Sequence, residues 1–100
     1  FMLNIDKEKN GKDVAVTLSG RIDTTTAPQL NSIEETLEGH ENVVVNLKDI
    51  EYISSAGLRF FLKMEKKLRA GSGSQVLTNV SDEVMEIFEI SGFADILTIE

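Results

Sequence analysis

Leu3 and Ile5 alternate with polar residues, and after Asn10-Gly11 the alternation resumes at Val14, Val16 and Leu18. A period of two puts every apolar side chain on one face of an extended strand, and Asn-Gly is the strongest short hairpin signal. An antiparallel pair is therefore predicted over residues 2–8 and 13–19. The period then changes. Leu30, Ile33 and Leu37 fall at i, i+3 and i+7, one face of a helix, preceded by Thr26-Ala27-Pro28 and followed by Gly39. A threonine cap with proline close behind marks a helix start, and glycine marks its end. Val43-Val44-Val45-Asn46-Leu47 is a continuous run rich in β-branched residues. Such a run predicts a strand buried on both faces.

Helical spacing returns in the second half. Leu58, Phe61, Leu62 and Leu68 form the apolar stripe of a helix over about Ala56 to Ala70, which Gly71-Ser72-Gly73-Ser74 stops. Gln75 to Thr78 reads as a short strand. Ser81 then caps a third helix with Asp82 and Glu83 in its first turn, Val84, Ile87 and Phe88 facing inward, and Ser91-Gly92 at its end. Ile96-Leu97-Thr98-Ile99 reads as a final strand. The order is ββαβαβαβ, an α/β fold: an N-terminal β-hairpin followed by β-α repeats, with a mixed, mostly parallel sheet and about three helices. Residues 1–100 are expected to form a single domain, with no internal repeat or linker. Phe1 ahead of Met2 is read as an addition to a native start at Met2.

Composition narrows the chemistry. The chain has no cysteine, which removes disulfides, thiol nucleophiles and thiolate metal sites. Its one histidine, His40, lies in an expected loop beside Gly39 and Glu41, so neither a histidine-based triad nor a multi-histidine metal site is expected. A net charge of −7 opposes nonspecific binding to nucleic acid or to an anionic membrane surface. No apolar run approaches the roughly 20 residues that span a bilayer, and no signal peptide is evident, so the expected setting is the cytoplasm. The acidic surface and the absence of an evident apolar stripe point to a monomer.

In open α/β sheets, function gathers beyond the carboxyl ends of the parallel strands. Three segments are expected to meet there as loops: Gly20–Thr26, Lys48–Ser55 and Asn79–Ser81. The middle one carries Ser54-Ser55-Ala56-Gly57, where two hydroxyls open onto the second helix. Unpaired amides and the helix dipole favour negative charge at that end. One serine can serve as a plain cap, and either is a place where an attached phosphate is well tolerated. Ala56 and Gly57 are small and allow close approach by another protein; Gly57 costs about 1 kcal/mol relative to alanine in a helix, a cost that access or packing would justify. No base is at hand to activate Ser55, so serine chemistry here makes the serine a substrate rather than a catalyst. Asp23 ends a strand at the same edge, followed by Thr24 and Thr25, and either caps the first helix or positions the Ser55 hydroxyl or a partner's cation. Asn46 is expected to be a satisfied core amide that shapes the adjacent loops. Five of the ten basic residues, Arg59, Lys63, Lys66, Lys67 and Arg69, lie on the second helix and read as a solvated face. Arg59 is the exception: one turn from Ser55, it can dock on a partner or approach a phosphate. Glu34, Glu35, Glu38 and Glu41 read as solvation.

Ile53-Ser54-Ser55-Ala56-Gly57-Leu58, preceded by Asn46-Leu47-Lys48-Asp49-Ile50, resembles the signature of STAS domains, and most closely the bacterial anti-sigma factor antagonists. Gly20-Arg21-Ile22-Asp23 is similar to the family's strand-end motif, and Ser91-Gly92-Phe93 to its Ser-Gly turn. The likeness spans essentially the whole chain. It implies a STAS-like fold and a partner switch. Such a protein is phosphorylated on one serine by a kinase that also holds a sigma factor inactive. The bare form binds that anti-sigma factor serine kinase and frees the sigma factor, the phosphorylated form lets go, and a serine phosphatase resets it. By motif position the acceptor maps to Ser55. Many members have aspartate just before the acceptor where this chain has Ser54, which leaves Ser54 as a second choice. The resemblance implies a binding module rather than an enzyme, with no cofactor and no metal. Asp23, Thr24, Thr25, Ser54, Ala56, Gly57, Leu58 and Arg59 would form the partner or phosphate loop, shaped by Gly20 and Asn46. The competing expectation is a small nucleotide- or anion-sensing domain, or a scaffold in another signalling assembly, built on the same edge.

Overall fold

A computed structural model of the chain describes residues 2–37 and 41–100. The expected readings of Phe1, Glu38, Gly39 and His40 lie outside the described residues. The two alternating segments form β1 (Leu3–Asn10) and β2 (Asp13–Ile22), antiparallel from Leu3 opposite Gly20 to Asn10 opposite Asp13. The third strand, β3 (Asn42–Ile53), runs parallel to β2, and the short β4 (Ser74–Thr78) runs parallel to β3. The sheet order is β1-β2-β3-β4, a mixed sheet as the pattern predicts.

The β-branched run does not behave as a strand buried twice over. Val43, Val45 and Leu47 enter the core, whereas Val44 is 43% exposed and Asn46 is half-buried. One face of the sheet is covered and the other carries a polar lattice. On that open face Asn4 donates to the Ser19 hydroxyl, Asn42 to Asp13, and the Ser74 hydroxyl to Asn42. A run of β-branched residues fits a pleated strand whether one face or both are covered, so the sequence could not tell the two apart.

Two further segments depart from the pattern. The first helical region is broken: a 3₁₀ turn over Ala27–Leu30 leads into α1 (Asn31–Thr36), which ends short of Gly39. The Thr26 hydroxyl makes no capping bond to this turn and is used elsewhere. Ile96–Ile99 is not a strand. A 3₁₀ turn over Phe93–Asp95 follows the third helix, and only Ile99 bridges to Leu77 on the outer edge of β4. The backbone there pairs at one point, with Leu77 N–H donating to the Thr98 carbonyl and Glu100 N–H to the Leu77 carbonyl.

The long helix is α2 (Ser55–Ala70), and the last is α3 (Asp82–Ser91), capped by Ser81 through the Val84 amide at 3.2 Å. Phe61, Met64 and Leu68 of α2 and Val84 and Phe88 of α3 complete the core over the covered face. Two of the supposedly solvated charge groups tie elements together. Glu34 of α1 receives Lys67 at 2.8 Å and Lys63 at 2.9 Å, both from α2. The hydrogen bond from Lys67, and then that from Lys63, hold its carboxyl below the ordinary range. Glu41 is buried and paired with Lys9 at 2.7 Å. Glu65 is buried as well, bonded to Arg69 at 2.7 Å and to Gln75 of β4.

Gly57 fixes how closely α2 approaches the sheet. A Cβ there would lie 2.5 Å from Ile22 Cγ2 and 2.8 Å from Ile53 Cγ1, and both isoleucines are fully buried. Packing, not access, therefore accounts for this glycine. Gly57→Ala gains about 1 kcal/mol of helix propensity and incurs about 1–3 kcal/mol of overpacking. A net loss is expected, seen as a melting temperature several degrees lower; a variant that melts higher would show that the isoleucines can move aside.

Candidate functional site

The site lies where β2 and β3 end. Lys48–Ile53 is strand rather than loop, because β3 continues with register shifts against β2 between Thr17 and Ser19 and between Gly20 and Arg21. Gly20 sits at the second shift with φ +108°, and a Cβ on it would fall onto the Met2 carbonyl oxygen. Only glycine takes that conformation without strain. After the shift Arg21 lies opposite Tyr52, its guanidinium 4.8 Å from the ring centroid, and Ile22 lies opposite Ile53. Both strands thus finish together.

Asp23 follows at once and builds the next loop. Its carboxylate accepts the Thr25 and Thr26 amides, each at 2.9 Å. The Thr26 hydroxyl accepts the Asp23 amide at 2.9 Å and donates to the Arg21 carbonyl at 2.7 Å. Thr26 is buried, so this double latch lies inside the loop, while Thr24 and Thr25 are exposed on its crest. The Thr26 amide does most to hold the Asp23 carboxyl below its ordinary 3.8; partial desolvation opposes it, and the Thr25 amide and Arg21 add to the lowering.

Ser54 and Ser55 divide the work. The Ser54 amide donates to the Ile22 carbonyl at 2.7 Å, which pins the strand–helix junction to the end of β2. Its side chain is turned inward, 6% exposed, and its hydroxyl accepts the Gly57 amide at 3.3 Å as the cap of α2. Ser55 is the first helical residue and is exposed. Gly57 and Leu58 lie beneath the surface, Leu58 as part of the core. Ala56 is half-buried and Arg59, one turn beyond Ser55, is exposed.

A shallow groove of about 280 Å³ runs between this helix start and the first 3₁₀ turn. Ala27, Pro28, Ala56 and Phe60 supply apolar wall; Thr24, Asn31, Arg59 and Lys63 supply the polar part. Thr24, Ala56 and Arg59 are the groove residues that sequence alone points to. Lys63, which the sequence puts on a solvated face, also lines it, as do Phe60 of α2 and Asn31 at the start of α1. Asn46 is not part of the groove and is not a core amide. It sits on the open side of the sheet, where its side-chain oxygen accepts the Lys48 amide at 2.9 Å and Asn79 at 3.2 Å, tying β3 to the loop after β4. Among the described residues no cluster of histidine, aspartate and glutamate is placed to hold a metal, and no helix is long and apolar enough to cross a membrane.

The chain is similar to known proteins. The model of the STAS domain family matches residues 4–100. An anti-sigma-B factor antagonist of Bacillus subtilis is 33% identical over 98 residues, covering 97% of this chain and 90% of that protein. An anti-sigma factor antagonist of Bordetella bronchiseptica, BtrV, carries that name as a provisional one and is 39% identical over 84 residues, 82% of this chain and 72% of its own. Among solved structures, the anti-sigma factor antagonist SpoIIAA in its unphosphorylated form superposes with a TM-score of 0.78 at 20% identity, over 97% of this chain and 88% of its own. The phosphorylated form of SpoIIAA, from Bacillus, gives 0.70 at 19% identity, over 97% and 91%. At those identities the likeness is one of fold.

Two stability effects separate the serines. Ser54→Ala leaves the Gly57 amide without its acceptor and is expected to cost about 1 kcal/mol, whereas Ser55→Ala is expected to stay within about 0.5 kcal/mol of the parent by denaturant unfolding. Equal losses would mean that the capping role is shared. Asp23 gives a pH signature. Its carboxyl is lowered in the folded chain, so its contribution is complete above 3.8 and is lost as pH falls through the lower folded value. The protection factors of the Thr25 and Thr26 amides, taken against the intrinsic exchange rate at each pH, are expected to fall as pH drops below 3.8 and to show no such fall in Asp23→Asn. Protection that persists to the lowest pH at which the chain stays folded would remove Asp23 from the loop's support.

Proposed function

The chain belongs to the STAS domain family, and from that premise we propose that it is an anti-sigma factor antagonist whose partner binding is gated by phosphorylation of Ser55. Unphosphorylated, it binds an anti-sigma factor serine kinase and so releases a sigma factor. Phosphorylated on Ser55 by that kinase, it lets go, and a serine phosphatase restores it. It acts as a single-domain monomer in the cytoplasm, by binding rather than catalysis, with no nucleic acid or membrane partner; the net charge of −7 supports the last point.

The observation that carries this reading is the different placement of two adjacent hydroxyls. Ser54 is consumed as a buried cap and Ser55 is presented at the surface on the first residue of the helix. A kinase active site needs an accessible hydroxyl on a backbone that holds still. The bond from Ser54 to Ile22, the packing at Gly57 and the Asp23–Thr26 latch supply the firm backbone. In this reading the partner's landing area takes in Thr24, Thr25, Ala56 and Arg59, with Gly57 and Leu58 buried beneath the helix start and Gly20 and Asn46 shaping the neighbouring loops.

The energetics suit a switch that does not refold. A phosphate adds about −1.5 to −2 charges. At the first helical residue the dipole favours it by roughly 0.3–1 kcal/mol, so the fold tolerates it. In a partner interface formed around a neutral hydroxyl, the same group places an ill-matched charge that costs several kcal/mol, a hundredfold or more in affinity.

Incubation with a candidate anti-sigma kinase and ATP, followed by site mapping by mass spectrometry, tests the reading. One phosphate is expected, on Ser55, absent from Ser55→Ala and retained in a folded Ser54→Ala. Phosphate on Ser54 alone, or on neither serine with a kinase that binds the chain, would overturn it. A melting shift with nucleotide in the absence of any kinase would instead favour the ligand-sensing alternative.

A further inference from the structure

Several of the charged groups on the elements that meet at Ser55 are engaged. Arg21 at the end of β2 is stacked on Tyr52 of β3. Asp23 in the following loop is held by the Thr25 and Thr26 amides. Lys63, two turns along α2, is bound to Glu34 of α1 at 2.9 Å and also lies over the Phe60 ring at 5.7 Å. Glu51 on β3 is exposed. Lys48 on β3 and Lys66 on α2 are exposed and, like Arg59, have neither an ion pair nor an aromatic face among the described residues, but of these three only Arg59 lines the groove. The groove wall contains no carboxylate, although carboxylates outnumber cations by seventeen to ten in the chain as a whole. A lone planar cation beside an apolar wall matches an acidic side chain offered by another protein.

Arg59 also stands at i+4 from Ser55 on the same helix. Residues at that spacing are neighbours, with Cβ atoms about 5–6 Å apart, and the longer side chain reaches back over the first turn. A guanidinium there can therefore serve either of two anions, one from outside and one attached to its own helix, and not both at full strength.

We propose that Arg59 reads the state of Ser55: it anchors a carboxylate of the partner in the groove while the serine is bare, and it is captured by the phosphate once the serine is modified. The inference rests on the reading of Ser55 as the phosphorylated residue and adds a second component to the switch. Phosphorylation then removes an attractive contact as well as introducing a repulsive one, which makes release sharper than bulk and charge alone would give.

The test uses the full chain carrying phosphoserine at position 55, introduced during translation, alongside the same protein with Arg59→Gln and Arg59→Lys. Phosphorus NMR titration reads the second ionisation of the phosphate without any partner. Pairing with Arg59 is expected to place it about half a unit lower than in Arg59→Gln, with Arg59→Lys between the two. Identical titrations in all three proteins would overturn the capture. The second readout is the ratio of dissociation constants for the anti-sigma kinase, phosphorylated over unphosphorylated. In Arg59→Gln the unphosphorylated form is expected to bind about tenfold more weakly and the ratio to shrink by a similar factor. A ratio unchanged by Arg59→Gln would overturn the anchor. A ratio of one in the parent protein would instead sink the partner switch itself, and a persisting phosphorus shift would show that the two failures are separate.

Discussion

The first turn of α2 rests on the ends of β2 and β3 with no space for a methyl group at Gly57. That contact decides the rest of the site. Because Ile22 and Ile53 fill the volume below the helix, the chain can pass from β3 into α2 with a single residue, Ser54, between them. A junction this short leaves Ser54 no freedom: its amide meets the Ile22 carbonyl and its hydroxyl closes over the Gly57 amide. Ser55 is then the first side chain that points away from the core, and it does so from a helix seated on two parallel strands rather than from a loose loop.

The same economy holds on the other side of the groove. Asp23 and Thr26 satisfy each other's backbone across one tight turn, which leaves Thr24 and Thr25 exposed, and Thr24 shares the groove wall with Ala56 and Arg59. Glu34 clamps the short α1 to α2 through Lys67 and Lys63, and Lys63 also lines the groove. These are surface contacts, each worth at most about 1 kcal/mol, and they act by geometry more than by stability. On the proposed reading, a phosphate on such a platform would change the surface presented to a partner and leave the core beneath it as it is.

Much of this was legible in the chain. The hairpin, with its two-residue turn at Gly11-Lys12, one residue later than the Asn10-Gly11 signal, the helix carrying Leu58, Phe61 and Leu68, and the serine pair at its start follow from periodicity and capping chemistry. The family follows from the motif around Ser55. Most of what escaped has a common cause. Val44, Asn46, Glu34 and Glu41 have partners or exposures set by elements distant in sequence, and local pattern does not carry that information. The break between the 3₁₀ turn and α1 has a local cause: the first-helix spacing is apolar enough for a continuous helix, yet the Thr26 hydroxyl is drawn back to Arg21, five residues earlier, and does not cap it. Ile96–Ile99 has the composition of a strand but only one point of contact with the edge of β4.

The central claim is that one phosphate on Ser55 changes affinity without changing the fold. Calorimetric titration of the anti-sigma kinase into the unphosphorylated chain and into the chain phosphorylated at Ser55, with circular dichroism on both, measures it directly. The account requires matching spectra and a dissociation constant at least about a hundredfold weaker for the phosphorylated form. Equal affinities, or a loss of affinity that comes with unfolding, would contradict it.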